Sequence, residues 1–153
     1  MVKEGAAAPD FALPSSDGGE LRLSELRGKT VVLYFYPRDN TPGCTREACA
    51  FRDVMAKLRR RGVVVLGVSP DSLASHEKFK AQEKLNFALL SDSEKSVARA
   101  YGAFGEKVQY GKKILGVIRS TFVIDGEGVV RKVFRPVKVD GHVEKVLSVI
   151  EHL

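Results

Sequence analysis

The sequence predicts an α/β fold in which a central mixed sheet is flanked by helices. Two continuous apolar runs, at residues 30–36 and 63–68, are typical of strands covered on both faces. Between these runs, apolar residues recur at spacings of three and four, which predicts a helix. The turn sequence at residues 125–128 joins two late apolar stretches and predicts a hairpin. The 153 residues, 44% of them hydrophobic, suit a single domain over residues 1–153.

The elements are expected in a definite order along the chain. A small hairpin lies in residues 11–23, and the first long strand ends at Pro37. The first helix runs from Thr41 to about Arg61 and stops at Gly62. The later predictions are a strand at 63–68, a helix at 72–85, a loop with Phe87, Leu89 and Leu90, a short helix near Glu94–Tyr101, strands at 116–124 and 128–134, and a helix at 141–152. The glycine-rich passage at 102–116 gives weak signals and is assigned only loosely.

This order of elements corresponds to the thioredoxin-like plan, with an N-terminal β-hairpin and an inserted helix. Right-handed crossovers make the first two long strands parallel neighbours, and the late hairpin adds an antiparallel pair. In open sheets of this kind, ligand chemistry lies beyond the carboxyl ends of the parallel strands. Residues 37–44 are therefore the candidate site.

Composition limits the partners and the location of the protein. The formal net charge is +6, which describes a mildly basic surface with both signs interspersed. The one dense basic run, at residues 59–61, has no interleaved aromatics and ends a predicted helix, where cations suit the dipole; a nucleic-acid partner is the weaker interpretation. No apolar run approaches the roughly 20 residues that span a bilayer, and the N-terminus does not resemble a secretory signal. We therefore expect a soluble, cytoplasmic protein with no membrane partner.

Both cysteines of the chain, Cys44 and Cys49, lie at the predicted start of the first helix. Thr41 provides a hydroxyl at the cap position, and Pro42 suits the first helical position. Cys44 then lies in the first turn, where free backbone NH groups and the helix dipole stabilise a thiolate. Gly43 leaves room for a small substrate. The alternative is an inert buried cysteine, since free cysteine is among the most buried residue types.

The spacing of the two cysteines restricts what they can do together. On one intact helix, five residues separate their Cα atoms by about 9 Å. A disulfide rarely tolerates more than about 7 Å. Either Cys44 and Cys49 never bond, or the first turns unwind when they do. No metal is predicted, because none of His76, His142 and His152 lies at ligand spacing from a cysteine.

The stretch from Pro37 to Cys44 fits the Pro-x-x-x-Thr-x-x-Cys signature and resembles the peroxiredoxins. Residues 41–49, Thr-Pro-Gly-Cys-Thr-Arg-Glu-Ala-Cys, are similar to the peroxiredoxin Q, or bacterioferritin comigratory protein, branch. The resemblance covers nearly the whole chain. Its other segments are Pro9-Asp10-Phe11, Gly67-Val68-Ser69, residues 86–92, Tyr101-Gly102 and residues 119–125.

The resemblance implies a thiol-dependent peroxidase with no cofactor and no metal. It implies that Cys44 is the peroxidatic cysteine and Cys49 the resolving one, with Thr41, Pro37 and Arg119 as active-site companions. Hydrogen peroxide or an organic hydroperoxide oxidises Cys44 to a sulfenic acid, which condenses with the second cysteine to an intramolecular disulfide. Thioredoxin or a similar dithiol protein then reduces it. A monomer is expected, because an intramolecular resolving cysteine removes the need for a dimer.

The residues themselves also favour Arg119 as a site residue. On the predicted strand it shares a face with Val117 and Val123, and an arginine on a strand with two apolar faces requires an anionic partner. An arginine at the solvent edge of the strand is the alternative. Thr41 and Pro37 also have a simpler interpretation, as a helix cap and a strand terminator.

Two other functions remain open at the level of sequence. A thiol-disulfide exchange protein without peroxidase activity is disfavoured because the Cys-x-x-Cys spacing is absent. A non-catalytic binding module on a thioredoxin-like core would be indifferent to the loss of either cysteine. Peroxide turnover by the single cysteine variants separates these two possibilities from a peroxidase.

Overall fold

A computed structural model describes residues 2–153, which form nine β-strands, four α-helices and a short 3-10 helix at Leu23–Leu26. The strands are β1 (Ala12–Pro14), β2 (Glu20–Arg22), β3 (Thr30–Phe35), β4 (Val63–Ser69), β5 (Ala88–Ser91), β6 (Phe104–Gln109), β7 (Lys112–Val117), β8 (Ser120–Ile124) and β9 (Val130–Phe134). The helices are α1 (Pro42–Arg60), α2 (Leu73–Glu83), α3 (Ser96–Ala100) and α4 (His142–Glu151).

Five strands form a mixed central sheet in the order β5-β4-β3-β8-β9. Strand β4 pairs in parallel with β3 and with β5. Strands β3 and β8, and β8 and β9, are antiparallel. The predicted α/β class, the mixed sheet flanked by helices, the parallel pair, the late hairpin and the N-terminal hairpin of β1 and β2 are all confirmed.

Both faces of the sheet are covered, which explains the continuous apolar run in β3. Alternate side chains of a strand point to opposite faces. Val31, Leu33 and Phe35 pack in one core cluster, with α3 and the N-terminal hairpin. Val32 and Tyr34 pack in the other, with helices α1, α2 and α4. The first turns of α1 therefore lie directly on the sheet.

Strand β5 was predicted as a loop, and that prediction is wrong. Its four residues are all buried, so they show no alternation that would identify a strand. They form a strand because β4 offers an unpaired edge, with Leu66 opposite Ala88 and Ser69 opposite Ser91. The tertiary partner, rather than the local pattern, decides the conformation of this segment.

Residues 102–116, which gave weak signals, contain most of the β6–β7 hairpin. The two strands pair with each other and with no other strand among residues 2–153. One face of the hairpin is open to solvent, with Val108 and Leu115 each 70% exposed. A hairpin that buries little has no clear apolar periodicity, so the sequence could not identify it.

The single strand predicted over residues 116–124 is in fact two strands. Strand β7 ends at Val117, and β8 begins at Ser120. At the break, the Ile118 amide donates to the Ala103 carbonyl (2.8 Å) and the Val137 amide donates to the Arg119 carbonyl (2.9 Å). The first bond extends the β6–β7 pairing and the second lies at the end of the β8–β9 pairing, so the chain passes from one sheet to the other at these two residues.

No helix within residues 2–153 is both long enough and apolar enough to cross a membrane.

Candidate active site

Helix α1 follows β3 after the loop at residues 36–41, and it places Cys44 in its first turn. Pro42 occupies the start of the helix, as predicted, and the Thr45 amide donates to the Thr41 carbonyl (2.9 Å) to close the first turn. Cys44 is only 1% exposed and packs in the core cluster between α1 and the sheet. Its side chain is therefore almost completely shielded from solvent.

Thr41 takes the cap position of α1, but its side chain does not cap the helix. Its backbone is extended, as at a helix N-cap. The hydroxyl donates to the Arg38 carbonyl (3.0 Å) instead of accepting from the first turn. The predicted capping role of the hydroxyl is therefore wrong, and the free NH groups of the first turn remain available near Cys44.

The Arg119 guanidinium bridges Cys44 and a buried carboxylate. Its Nη2 donates to the Cys44 Sγ (3.2 Å), and its Nη1 donates to the Glu47 Oε1 (2.6 Å). The predicted strand position of Arg119 is wrong, since the residue lies in the break between β7 and β8. That break lets the side chain reach α1, and it places a positive charge beside the sulfur.

Glu47 is the residue of this site to which the sequence patterns assigned no role. Its side chain is fully buried, and its Oε2 has no hydrogen-bond partner. Burial raises the pKa of Glu47 to about 7, although the nearby Arg119 charge lowers it. A signal was present: Cys44 and Glu47 are three residues apart on a helix and so share a face.

Gly43 makes room for the Arg119 guanidinium. A Cβ atom at Gly43 would lie 3.3 Å from the Arg119 Nη2. Such a contact is tight, so a side chain here would push the guanidinium away from the sulfur. The glycine thus permits the close approach of Arg119 to the first turn.

Cys49 lies on the same helix but faces a different neighbour. Both cysteines are free thiols on one continuous α1, which keeps their Cα atoms about 9 Å apart. The Cys49 thiol is half-buried and donates to the Glu83 Oε1 of α2 (3.5 Å). Burial and the Glu83 carboxylate raise the pKa of Cys49, whereas Arg52 opposes this.

A buried polar network fixes the loop between β3 and α1. Asp39 accepts hydrogen bonds from the Tyr36 hydroxyl (2.6 Å), the Ser75 hydroxyl (2.8 Å) and the His76 Nδ1 (2.7 Å). Burial raises the pKa of Asp39, but these hydrogen bonds outweigh it, so the pKa is lowered overall. The network ties the loop that leads to Cys44 to the start of α2.

Asp39, Asp71 and His76 form the one three-residue group within residues 2–153 whose ligand atoms could together hold a metal ion, all within 4.8 Å of one another. The spacing of cysteines and histidines along the sequence does not reveal it. His76 has no free ring nitrogen, because its Nε2 lies 2.9 Å from the Leu90 carbonyl and its Nδ1 bonds Asp39. A cation would have to displace one of these bonds.

The structure brings together only part of the predicted set. Among the described residues, Arg119 is the predicted companion that makes a polar contact with Cys44. Thr41 and Pro37 lie in the adjoining loop, where Pro37 is half-buried directly after Tyr36. Cys49 is held apart, against α2.

Comparison with known sequences identifies a family. The sequence model described as the AhpC/TSA family matches residues 5–133. A relative from Coxiella burnetii is 51% identical over 147 residues, which cover 96% of this chain and 97% of the relative. Peroxiredoxin Bcp of Bacillus subtilis is 44% identical over 152 residues, covering 99% of this chain and 97% of that protein.

Solved structures give the same result. The bacterioferritin comigratory protein of Xanthomonas campestris, which was studied for its alkyl peroxide reduction activity, matches with a TM-score of 0.90 and 39% identity. The match covers 99% of this chain and 97% of that chain. Peroxiredoxin Q of Xylella fastidiosa, solved as a cysteine-to-serine mutant, matches with a TM-score of 0.93 and 34% identity, covering 99% of this chain and 97% of that one.

Proposed function

Because the chain belongs to the AhpC/TSA family and to its Bcp peroxiredoxins, it is a thiol-dependent peroxidase, and we propose that Cys44 is the residue that attacks the peroxide. The finer proposal is that hydrogen peroxide and organic hydroperoxides are the substrates. We assign Cys49 as the resolving cysteine and Thr41, Pro37 and Arg119 as companions of the attack. The whole chain, residues 1–153, acts as one monomeric domain.

One observation carries this proposal: the Arg119 guanidinium lies 3.2 Å from the Cys44 sulfur and 2.6 Å from the Glu47 carboxylate. The carboxylate fixes the guanidinium, which places a positive charge beside the sulfur that attacks. The free NH groups of the first turn add to the positive potential at the same place. A thiolate in a narrow, water-poor position beside fixed donors suits nucleophilic attack on a small electrophile.

The first step oxidises the Cys44 sulfur and reduces the peroxide. The thiolate attacks one oxygen of the peroxide, an S–O bond forms and the O–O bond breaks. The departing hydroxide or alkoxide takes up a proton and leaves as water or an alcohol. Arg119 stabilises the charge that develops on the oxygens. The Thr41 hydroxyl donates to the Arg38 carbonyl, and it contributes only when it leaves that carbonyl and donates to the substrate. Pro37 limits access of water.

The second step joins the two sulfurs. The Cys49 sulfur attacks the sulfenic sulfur, an S–S bond forms, and the S–O bond breaks. The hydroxyl group and the thiol proton leave together as water. The sulfurs must approach to about 2 Å, so the first turns of α1 must unwind. A dithiol protein such as thioredoxin then reduces the disulfide, and the helix re-forms.

The composition of α1 favours unwinding at this end. The buried residues of its first two turns are Cys44, Glu47 and Ala48, which are small or charged. Beyond Cys49 come Phe51 and Met55, each of which contributes roughly 1.5–3 kcal/mol by burial. Unwinding up to Cys49 therefore forfeits little apolar contact, and the rest of the helix remains anchored.

The test is peroxide consumption with thioredoxin as reductant, for the parent, Cys44→Ser and Cys49→Ser. We expect Cys44→Ser to abolish turnover. Cys49→Ser keeps one rapid oxidation of Cys44 but loses thioredoxin-dependent cycling. Mass spectrometry of the peroxide-treated parent shows a Cys44–Cys49 disulfide.

Two results would reject the proposal. Full turnover in Cys44→Ser excludes this nucleophile. A parent in which peroxide drives Cys44 to sulfinic acid with no internal disulfide excludes the resolving step. Insulin reduction without peroxide turnover would instead indicate thiol-disulfide exchange.

A further inference from the structure

The contact between Cys49 and Glu83 joins two helices at the point where one of them must unwind. Glu83 is the last residue of α2, and its Oε1 lies 3.5 Å from the Cys49 sulfur. Thiol hydrogen bonds are long because sulfur is large, and a carboxylate oxygen can only accept the proton. The contact therefore requires the protonated thiol of Cys49.

Glu83 is also tied to α1 through its backbone. The Arg52 Nη1 donates to the Glu83 carbonyl (2.6 Å), which is one of the carbonyls left without a helical partner at the end of α2. Cys49 and Arg52 are three residues apart and share one face of α1. This second bond does not depend on the state of any sulfur, so it keeps the carboxylate beside Cys49.

The groups around Cys49 carry charges of both signs, and the one that its thiol contacts is the Glu83 carboxylate. The ionisable groups that face Cys49 are Glu83 of α2 and Arg52 and Asp53 of α1. Burial raises the pKa of Cys49, the two carboxylates add to this, and Arg52 opposes it. The Arg52 guanidinium is itself engaged by Asp53 (2.9 Å) and by the Glu83 carbonyl.

We propose that Glu83 is a positioning residue that holds Cys49 as a neutral thiol against α2 and thereby delays its attack on oxidised Cys44. This inference rests on the proposed function, since it needs Cys49 as the resolving cysteine. The same contact protects Cys49 in the reduced enzyme. A protonated thiol does not react with peroxide, so oxidation is confined to Cys44.

The contact also depends on the redox state. When the Cys49 sulfur joins the sulfenic sulfur, its proton leaves with the hydroxyl group as water, and the disulfide has no S–H donor. Glu83 then has nothing to bind at this position. The link is thus present only in the reduced protein, and its loss favours the unwound helix until a dithiol reductant restores the thiol.

The test is Glu83→Gln, which keeps an oxygen acceptor of the same length and removes the charge. In a Cys44→Ser background, alkylation of the single thiol against pH measures the pKa of Cys49, and we expect Glu83→Gln to lower it. For each unit by which the pKa of Cys49 falls, the thiolate fraction at pH 7 rises tenfold. The nucleophilicity of each thiolate falls about threefold, so disulfide formation accelerates about threefold overall.

The matched control is Glu77→Gln, which removes the charge of an exposed glutamate of the same helix. We expect Glu77→Gln to change neither the pKa of Cys49 nor the rate of disulfide formation. Glu83→Asp keeps the charge and should retain part of the delay. Oxidation of Cys44 by one equivalent of peroxide, followed by stopped flow, should be the same in all three variants.

A purely structural role for Glu83 would also accelerate disulfide formation, by loosening α1, but it would leave the alkylation pKa of Cys49 unchanged. That outcome overturns the proposal, as does slower disulfide formation, which would make the carboxylate a proton acceptor in the attack. If the parent forms no Cys44–Cys49 disulfide, the proposed function itself fails. The alkylation result still reports on Glu83 in that case.

Discussion

The two cysteines lie on one helix, yet the groups that they contact are opposite in charge. Cys44, in the first turn, accepts a hydrogen bond from the Arg119 guanidinium. Cys49 donates a hydrogen bond to the Glu83 carboxylate. A cation favours the thiolate and an anion favours the thiol. The comparison shows how one helix can place two identical side chains in different electrostatic surroundings: Cys44 contacts a cation and Cys49 contacts an anion.

The largest effect is expected when the cation is removed from the Cys44 side. Arg119→Met should lower the second-order rate constant with hydrogen peroxide by about 10²–10³-fold, because it removes a fixed donor from the developing charge. Stopped-flow oxidation measures this. Alkylation of Cys49 should be unaffected. Arg119→Lys keeps the charge but cannot bind Cys44 and Glu47 with two separate nitrogens. Its rate constant should lie between those of the parent and Arg119→Met. If Arg119→Met reacts as fast as the parent, the cation beside Cys44 does not control its reactivity.

A smaller effect is expected from the anion behind Arg119. Glu47→Gln leaves the guanidinium less firmly held, and we expect the peroxide rate to fall about tenfold, as for a displacement of about half an ångström. Single-turnover oxidation measures the loss. An unchanged rate would show that the guanidinium keeps its position without the carboxylate.

The same variant makes a prediction about stability. Burial raises the pKa of Glu47 from 4.5 to about 7, so between these values the folded protein binds more protons than the unfolded chain. The contribution of Glu47 to stability is therefore present below pH 4.5 and is lost as the pH rises to 7. Relative to the parent, Glu47→Gln should gain about 3 kcal/mol of unfolding free energy from pH 4.5 to 7.5.

Urea denaturation at each pH measures this difference between variant and parent. Groups that both proteins share cancel, among them His142, whose pKa burial lowers to about 4. A difference that does not change with pH would show that Glu47 is ionised in both states.

The smallest effect is expected at Gly43. An alanine there places its Cβ 3.3 Å from the Arg119 Nη2 and displaces the guanidinium by a few tenths of an ångström. A displacement of 1 Å lowers a rate by about 100-fold, so a displacement of a few tenths of an ångström should lower the peroxide rate about fourfold. Stopped flow measures it, with Ala48→Gly as a control for helix propensity on the same helix. A faster variant would show that the arginine is held too close to the sulfur.

Much of the fold followed from the sequence, since the buried strands, α1 and the late hairpin have strong local patterns. Strand β5 did not, because its conformation depends on the free edge of β4. The β6–β7 hairpin did not, because it buries too little to show a period. Short or exposed elements such as these depend on contacts that a local pattern does not contain.

For the site, the sequence located the helix start and the position of Cys44, and resemblance supplied the candidate roles. It did not show that Arg119 lies at a break between strands, since Val117 and Ile118 continue an apolar run. Glu47 and Glu83 were missed for a common reason. A glutamate on a helix is ordinarily a solvated residue, and only the packing of α1 reveals that one is buried and that the other faces a thiol.

The anchoring of α1 has a consequence for which sulfurs can meet. Tyr36 and Phe51 are both buried, so the core holds both ends of the segment that carries the two cysteines. Two groups on such a tether experience an effective concentration in the millimolar range or above. A thiol on another molecule would have to be equally abundant to compete. Oxidation should therefore yield closed single chains rather than covalently linked pairs, even in concentrated solution.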